Sequence, residues 1–334
     1  MTKSPGMRAL VLESYNTPFI LTDIPRPTPG DGQVLVRIMA SGVNPLDTKI
    51  RSGNAAHAKV QLPAVLGMDL AGVVETVGLG VEAFKPGDKV YGLAGGIGGL
   101  QGSLAEFAAV DAALLALQPK NISMREAAAL PLAFITAWEG LVDRAQVHAG
   151  QKVLIHAGAG GVGHVAVQIA HAAGAEVFAT VSAEKMAIVE RFGATPINYQ
   201  NTTLDEYLSR HTNGEGFDIV YDTVGGATLD ASFAAVRTYT GHVLSCLGWG
   251  THALAPLSFR AATYSGVFTL LPMLTGKGRA HHGEILREAT KMANAGKLKP
   301  LLDPRPFTLE TALDAHRVIE SGKALGKVVL DVAG

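Results

Sequence analysis

The chain has 334 residues, 48% of them hydrophobic and 17% charged, with a formal net charge of −1. That length can fill two cores and that apolar content excludes a disordered chain, while near-neutrality leaves no electrostatic footprint for nucleic acid or an anionic membrane. No uninterrupted apolar run reaches spanning length, and the lone cysteine, Cys246, allows neither an intramolecular disulfide nor a thiolate-rich zinc site. The first ten residues (MTKSPGMRAL) lack a signal-peptide apolar core, so a cytoplasmic protein without a membrane or nucleic-acid partner is expected.

In chain order, residues 34–40 (VLVRIMA) alternate as a half-buried strand does, and residues 70–77 (LAGVVETV) predict another, closed by Gly78 and Gly80. Residues 84–90 place a proline–glycine turn before a strand, and the glycine-dense stretch 92–102 predicts a loop. Short strands punctuated by Gly and Pro indicate a small irregular β-domain. From Ser123, a candidate helix cap, strands and helices alternate. Helices are predicted around 127–129, over 136–144, 183–192, 228–236 and 285–295. Strands are predicted over 152–157, 176–181, 196–199, 217–222 and 242–247, with a possible sixth over 264–271. This alternation predicts an α/β fold with a Rossmann-type doubly wound parallel sheet. The tail from 301 ends in a strand (GKVVL) expected to return to the β-domain, giving domains 1–126 with 301–334, and 127–300.

The most specific motif is Gly158-Ala159-Gly160-Gly161-Val162-Gly163, placed between a strand and a helix that carries Val162, Val165, Ala166, Ile169, Ala170 and Ala173 on one face. Gly158 suits the tight turn, Gly160 lets backbone N–H groups approach a pyrophosphate, and Gly163 lets helix and strand pack closely. The helix N-terminus adds orphan N–H groups and a positive dipole end. Where many NAD-binding chains carry an acid after the second strand, this one has Ser182, with Lys185 one helical step on. A hydroxyl and an ammonium suit a 2′-phosphate, so NADPH is the expected cofactor; Glu184 is the opposing charge.

These residues bring a family into view. The chain resembles the medium-chain dehydrogenases/reductases, and within them the zinc-independent NADPH:quinone oxidoreductase (zeta-crystallin-like) branch. The motifs are Ser41-Gly-Val-Asn44-Pro-Leu-Asp47, Leu66-Gly-Met68-Asp69-Leu-Ala-Gly72, Ala127-Ala-Ala-Leu-Pro131, Thr136-Ala-Trp-Glu-Gly140 and the glycine turn. The resemblance implies a GroES-like β-domain beside the Rossmann domain. It also implies that Asn44 stands where alcohol dehydrogenases carry a zinc cysteine and Met68 where they carry a zinc histidine. A catalytic zinc needs about three Cys, His, Asp or Glu ligands, so no metal is expected. Without that electrophile simple alcohol oxidation is disfavoured, whereas a quinone or enone spreads incoming charge over its own π-system. The resemblance further implies that Lys185 and Tyr199 contact the 2′-phosphate, and that Thr136 lies near the nicotinamide.

Asn44 and Asp47 are expected on a loop facing the nicotinamide, where Asn44 can orient a carbonyl or the ribose. Each also has a purely structural reading, as a turn residue and as a helix cap. Thr136 equally suits a helix N-cap. Cys246, Leu247 and Gly248 end a predicted strand where the sheet opens on the cofactor, although a lone apolar-flanked cysteine commonly serves as core. The function expected is NADPH-dependent hydride transfer to quinones or α,β-unsaturated carbonyls in an interdomain cleft. The alternatives are a zinc-type alcohol dehydrogenase with relocated ligands and a weakly catalytic NADPH-binding structural protein. A homodimer through the edge strand 264–271 is also expected.

Overall fold

The structure is a computed structural model and describes residues 6–333; the first five residues of the N-terminal stretch read above lie outside the described residues. The chain opens with β1 (Gly6–Leu12) and β2 (Ile20–Pro25), then β3 (Gln33–Val43), α1 (Pro45–Arg51), β4 (Ala64–Val65) and β5 (Asp69–Val77). β6 (Lys89–Leu93), β7 (Phe107–Asp111), β8 (Leu115–Leu117) and α2 (Met124–Ala128) follow. Ser123 caps α2, accepting from the Glu126 N–H while the Glu126 carboxylate accepts from the Ser123 N–H at 2.8 Å. The glycine-dense stretch from 94 carries no helix or strand until β7, and β3 is interrupted by irregularities at Leu35/Val36 and Ile38/Ala40, where its alternation breaks.

Next come α3 (Pro131–Trp138), prolonged by a π-helical turn at Glu139–Arg144, and then β9 (Lys152–Ile155), α4 (Gly163–Ala172), β10 (Glu176–Val181), α5 (Met186–Arg191) and β11 (Ala194–Asn198). α6 (Leu204–Thr212), β12 (Ile219–Asp222), α7 (Ala227–Ala235), β13 (His242–Ser245), α8 (Ala255–Ser258) and β14 (Thr263–Gly266) complete this stretch. The chain closes with α9 (Leu271–Thr275), α10 (Arg279–Asn294), β15 (Phe307–Thr308), α11 (Ala312–Glu320) and β16 (Val328–Asp331). None of the described helices is long and apolar enough to cross a membrane.

Two compact units result. One comprises the chain through Leu132 and from Leu270 onward; the other is Ala133–Thr269. The first contains a three-stranded sheet, β2-β1-β4, and a larger sheet, β15-β16-β3-β5-β6-β8, with β7 also paired to β3. It takes in residues 270–300, which the sequence grouped with the Rossmann stretch. The physical reason is α10, which packs on β8; Tyr91 on β6 donates its hydroxyl to the Leu286 carbonyl at 2.7 Å.

The second unit is a six-stranded parallel sheet, β11-β10-β9-β12-β13-β14. The chain winds outward from β9 to β11, then restarts beside β9 with β12 and winds the other way. The two directions part between β9 and β12, the topological switch point at which such sheets bind ligands. Its core is a continuous cluster that includes Leu154, Phe178, Phe217, Val220, Phe233 and Val243. The predicted strand over 264–271 is shorter here: β14 ends at Gly266, and residues 271–275 are helical.

Candidate functional site

In the first unit, β3 ends at Val43 and α1 begins at Pro45, with Asn44 between them in extended conformation. Proline suits the first helical position because its absent N–H has no partner there anyway. The Asn44 N–H donates to Asp47 Oδ2 at 2.8 Å. Asp47 therefore ties down the entry to α1 from within its first turn, and Asn44 rather than Asp47 holds the N-cap position. Burial pushes its carboxyl up to about 7, and the neighbouring Asp69 carboxylate pushes in the same direction.

The Asn44 side chain is committed elsewhere. Nδ2 donates to Asp69 Oδ2 at 2.9 Å, and Oδ1 accepts from Lys327 Nζ. Lys327 Nζ also lies 3.3 Å from Asp69 Oδ2, and the other Asp69 oxygen accepts from the Leu132 N–H at 2.8 Å. All three side chains are buried. Burial raises the Asp69 carboxyl, opposed chiefly by the Lys327 ammonium. Sequence reasoning singled out Asn44 and Asp47 but missed Lys327 and gave Asp69 no role. The available signal was a lysine and an aspartate each opening an apolar strand, GKVVL and DLAGVV.

Zinc does not fit these residues. The Asn44 oxygen already accepts from an ammonium, Met68 offers only a buried thioether, and no group of three or more His, Cys, Asp or Glu side chains suited to a metal occurs among the described residues.

In the second unit the glycine turn joins β9 to α4. A Cβ at Gly163 would stand 2.1 Å from the Ala157 carbonyl oxygen, and one at Gly158 would stand 2.5 Å from the Ala179 Cβ on β10. Bare backbone is thus required for the turn to lie against helix and sheet. At the tight turn expected of Gly158, the left-handed residue is Ala157, at φ 52°. At Gly160 a Cβ would meet the Ala157 oxygen at 3.0 Å. This compact backbone at the start of α4, at the carboxyl end of β9, suits a dinucleotide pyrophosphate.

Ser182 directly follows β10, and Tyr199 directly follows β11, with its N–H donating to the Val181 carbonyl at 3.3 Å. The two residues therefore end neighbouring strands. Tyr199 is exposed and Lys185 half-buried. Ser182 differs from expectation: its hydroxyl donates to Glu184 at 2.6 Å, which holds that carboxyl below its ordinary range.

Asp222, the last residue of β12, organises the loops that follow β12 and β13. Its carboxylate accepts from the Val224 and Gly225 N–H groups at 3.0 and 2.9 Å and from the Ser245 hydroxyl at 2.7 Å. The Ser245 oxygen in turn accepts from the Leu247 N–H at 3.0 Å. Cys246 lies just past the strand rather than within it, and burial pushes its thiol up to about 12. Such a thiol is unreactive at neutral pH. Tyr264 Oη stands 2.3 Å from where a Gly248 Cβ would be, so a larger residue there would displace the tyrosine hydroxyl.

Thr136 lies inside α3 rather than at its N-cap, because Pro131 already starts the helix. Its hydroxyl bonds that of Thr269 at 2.9 Å, and its carbonyl accepts from Tyr221 Oη at 2.6 Å.

Comparisons with known proteins agree with this construction. Residues 30–120 match the alcohol dehydrogenase GroES-like domain, and residues 192–330 match the zinc-binding dehydrogenase family. The chain is 36% identical over 335 residues to an NADPH-dependent alkenal/one oxidoreductase, chloroplastic, of Arabidopsis thaliana, covering 97% of this chain and 79% of that protein. It is 31% identical over 331 residues to the quinone oxidoreductase of Homo sapiens, covering 97% of each. Among solved structures, an alcohol dehydrogenase superfamily protein from Novosphingobium aromaticivorans superposes with a TM-score of 0.96 at 56% identity, covering 98% of this chain and 100% of that one. The quinone oxidoreductase from Coxiella burnetii superposes at 0.83 with 30% identity, covering 98% and 100%. With these relatives and this pair of folds, the chain belongs to the medium-chain dehydrogenase/reductase superfamily, in the branch of the quinone and alkenal/one oxidoreductases.

Proposed function

We propose that this protein reduces quinones or α,β-unsaturated carbonyl compounds by hydride transfer from NADPH, without zinc. The observation that carries this reading is the Asn44–Asp69–Lys327 cluster, with Met68 beside it in sequence, at the two motifs where zinc-using relatives would place ligands. No Lewis acid is available from these donors, so the substrate must delocalise the incoming charge itself. Quinones and enones do so; saturated aldehydes and alcohols do not. The names of the alkenal/one and quinone oxidoreductase relatives favour the same class.

NADPH, when bound, supplies the hydride. The backbone of residues 158–163 at the start of α4 holds its pyrophosphate, while Lys185, Tyr199 and Ser182 receive the 2′-phosphate. For that, the Ser182 hydroxyl exchanges its bond to Glu184 for one to phosphate. The loop of Cys246, Leu247 and Gly248, fixed by Asp222 and Ser245, lines the nicotinamide end through backbone groups. Thr136 and Asn44 contact the nicotinamide or its ribose, and Asp47 fixes the backbone that carries Asn44. The protein acts in the cytoplasm as a homodimer.

The test is a screen of NADPH oxidation against 1,4-quinones, enones, enals and saturated aldehydes, with elemental analysis of the same preparation. Turnover with the conjugated compounds, insensitive to chelators, is the expected result. Turnover confined to alcohols and saturated aldehydes, or about one tightly held zinc per chain, would sink the reading.

A further inference from the structure

Lys327, one residue before β16, is 4% exposed. An ammonium taken this far from water must be paired with a negative charge and satisfied by hydrogen bonds. Its partners are Asn44 Oδ1, just before α1, and Asp69 Oδ2, the first residue of β5. Asn44 Nδ2 closes the triangle on the same Asp69 oxygen at 2.9 Å.

This triangle has a chemical consequence for the amide at its corner. A primary amide can sit in two planar orientations that exchange its oxygen and its nitrogen. An ammonium only donates, and a carboxylate only accepts. The oxygen must therefore face Lys327 and the nitrogen Asp69. The flipped amide would set NH2 against ammonium and oxygen against carboxylate. Charge, rather than shape, selects the orientation, because the two ends of an amide are nearly equal in size. Of the two Nδ2 hydrogens, one is used by Asp69, and the direction of the second follows from the same choice.

We propose that Lys327, with Asp69 as its counter-charge, is the positioning residue of the active site: it locks the Asn44 amide so that an N–H, not a carbonyl oxygen, is presented to the substrate or cofactor. This rests on the reading above that Asn44 makes such a contact. It extends that reading to a residue at the far end of the chain, whose part is electrostatic and indirect.

Lys327→Met alone would leave Asp69 buried without its cation, mixing a stability defect with any loss of positioning. The informative variant is therefore Asp69→Asn/Lys327→Met, which removes both charges; the new amide at position 69 keeps its oxygen on the Leu132 N–H and turns its NH2 toward Asn44, so the flipped Asn44 orientation is favoured. It is compared with the parent, with Asn44→Ala and with the triple variant. Thermal melting checks folding, cofactor fluorescence gives the Kd for NADPH, and steady-state assays with the best enone or quinone separate kcat from KM.

The double variant is expected to be folded, to bind NADPH within about threefold of the parent, and to lose roughly tenfold or more in kcat with a smaller change in KM. Asn44→Ala is expected to lose as much, and the triple variant no more than either, since the two act as one unit. A folded double variant with kcat within about twofold of the parent, while Asn44→Ala is impaired, overturns the positioning role and leaves the contact role of Asn44 standing. Losses that multiply in the triple variant overturn it too, because Lys327 then acts independently of Asn44. Parental kcat in Asn44→Ala overturns the contact itself, and the positioning role with it. Should the double variant not fold, Lys327→Arg serves: its guanidinium donates to both oxygens, so near-parental kcat is expected, and a folded Arg variant as impaired as Asn44→Ala overturns the inference.

Discussion

Ser182 has one hydroxyl hydrogen, and the structure spends it on Glu184. On the proposed reading, a 2′-phosphate arriving at this position would compete with that carboxylate and be repelled by it, and Lys185 and Tyr199 would offset the repulsion. Lys185→Ala is therefore expected to weaken NADPH binding by about 1.5–3 kcal/mol and leave NADH nearly unchanged, as one charge-assisted bond is lost. Titration of both cofactors checks this, and equal affinities in the parent would refute it. A second residue-scale expectation concerns Asp47. Its carboxyl titrates at about 7 in the folded protein because it is buried. In the unfolded chain it titrates near 3.9. Its contribution to stability is complete at pH values below the unfolded pKa and is lost as pH rises through the folded one. Asp47→Asn keeps an acceptor for the Asn44 N–H but cannot ionise. Relative to the parent, this variant should gain stability as pH is raised from about 5 to 8, by a few kcal/mol. A difference in melting free energy that stays flat over that range would discard the idea.

At the scale of elements, the turn between β9 and α4 shows how closely spacing in sequence can track geometry. Gly163→Ala would drive a methyl to 2.1 Å from the Ala157 oxygen. Overpacking of this kind typically costs about 1–3 kcal/mol, and here it distorts the N–H groups meant for phosphate. Loss of melting temperature together with a tenfold or greater rise in the Kd for NADPH is expected, on the order of 1.4 kcal/mol per decade; unchanged cofactor binding would contradict the cradle. This motif was legible because strand, glycines and helix are contiguous, so local preferences and global packing agree. β10 was legible for the same reason and runs over Glu176–Val181 as read. Other elements were written in the sequence but went unread. α6 is announced by Thr203 and Glu206, whose side chains cap one another. Pro131 marks the start of α3 and so removes Thr136 from the cap position. β14 was overextended because Phe268, Leu270 and Leu271 carry strand-like composition, which cannot report that pairing to β13 stops after the Val267 N–H reaches Ser245. The Lys327 triangle was illegible for a different reason. It joins three separate elements, and no local pattern encodes which distant ends meet.

For the molecule as a whole, the free edge of the six-stranded sheet is the feature that bears on assembly. Among the described residues β14 pairs only with β13, and Trp249, Leu254, Phe259, Tyr264 and Phe268 are all exposed in the same stretch of chain. Trp249 and Phe268 meet edge to face at 6.1 Å. An unpaired strand with exposed aromatics invites a partner, and a second copy offering the same strand closes the edge symmetrically. The Thr263 and Val267 N–H groups point toward β13, donating to Gly241 and Ser245. By alternation, those of Tyr264 and Gly266 point outward. Gly266→Pro thus blocks the free edge without removing a bond to β13, which Val267→Pro would do. Sedimentation at micromolar concentration should show a parent dimer and a folded monomeric variant. A monomeric parent, or a variant still dimeric, would rule out this edge.

The distance in sequence between Asn44 and Lys327, 283 residues, also sets an order of events during synthesis. At roughly 5–20 residues per second, about a quarter of a minute to a minute passes between the ribosome's release of one and of the other. Residues 133–269 emerge as one uninterrupted piece and have all their own strands once Gly266 is out. The first unit does not: until the last strand is made, β3 lacks its β16 neighbour and Asp69 is a carboxylate waiting for its cation. The nascent chain therefore completes its middle before its beginning, and the corner of the protein that orients Asn44 is the last part to close.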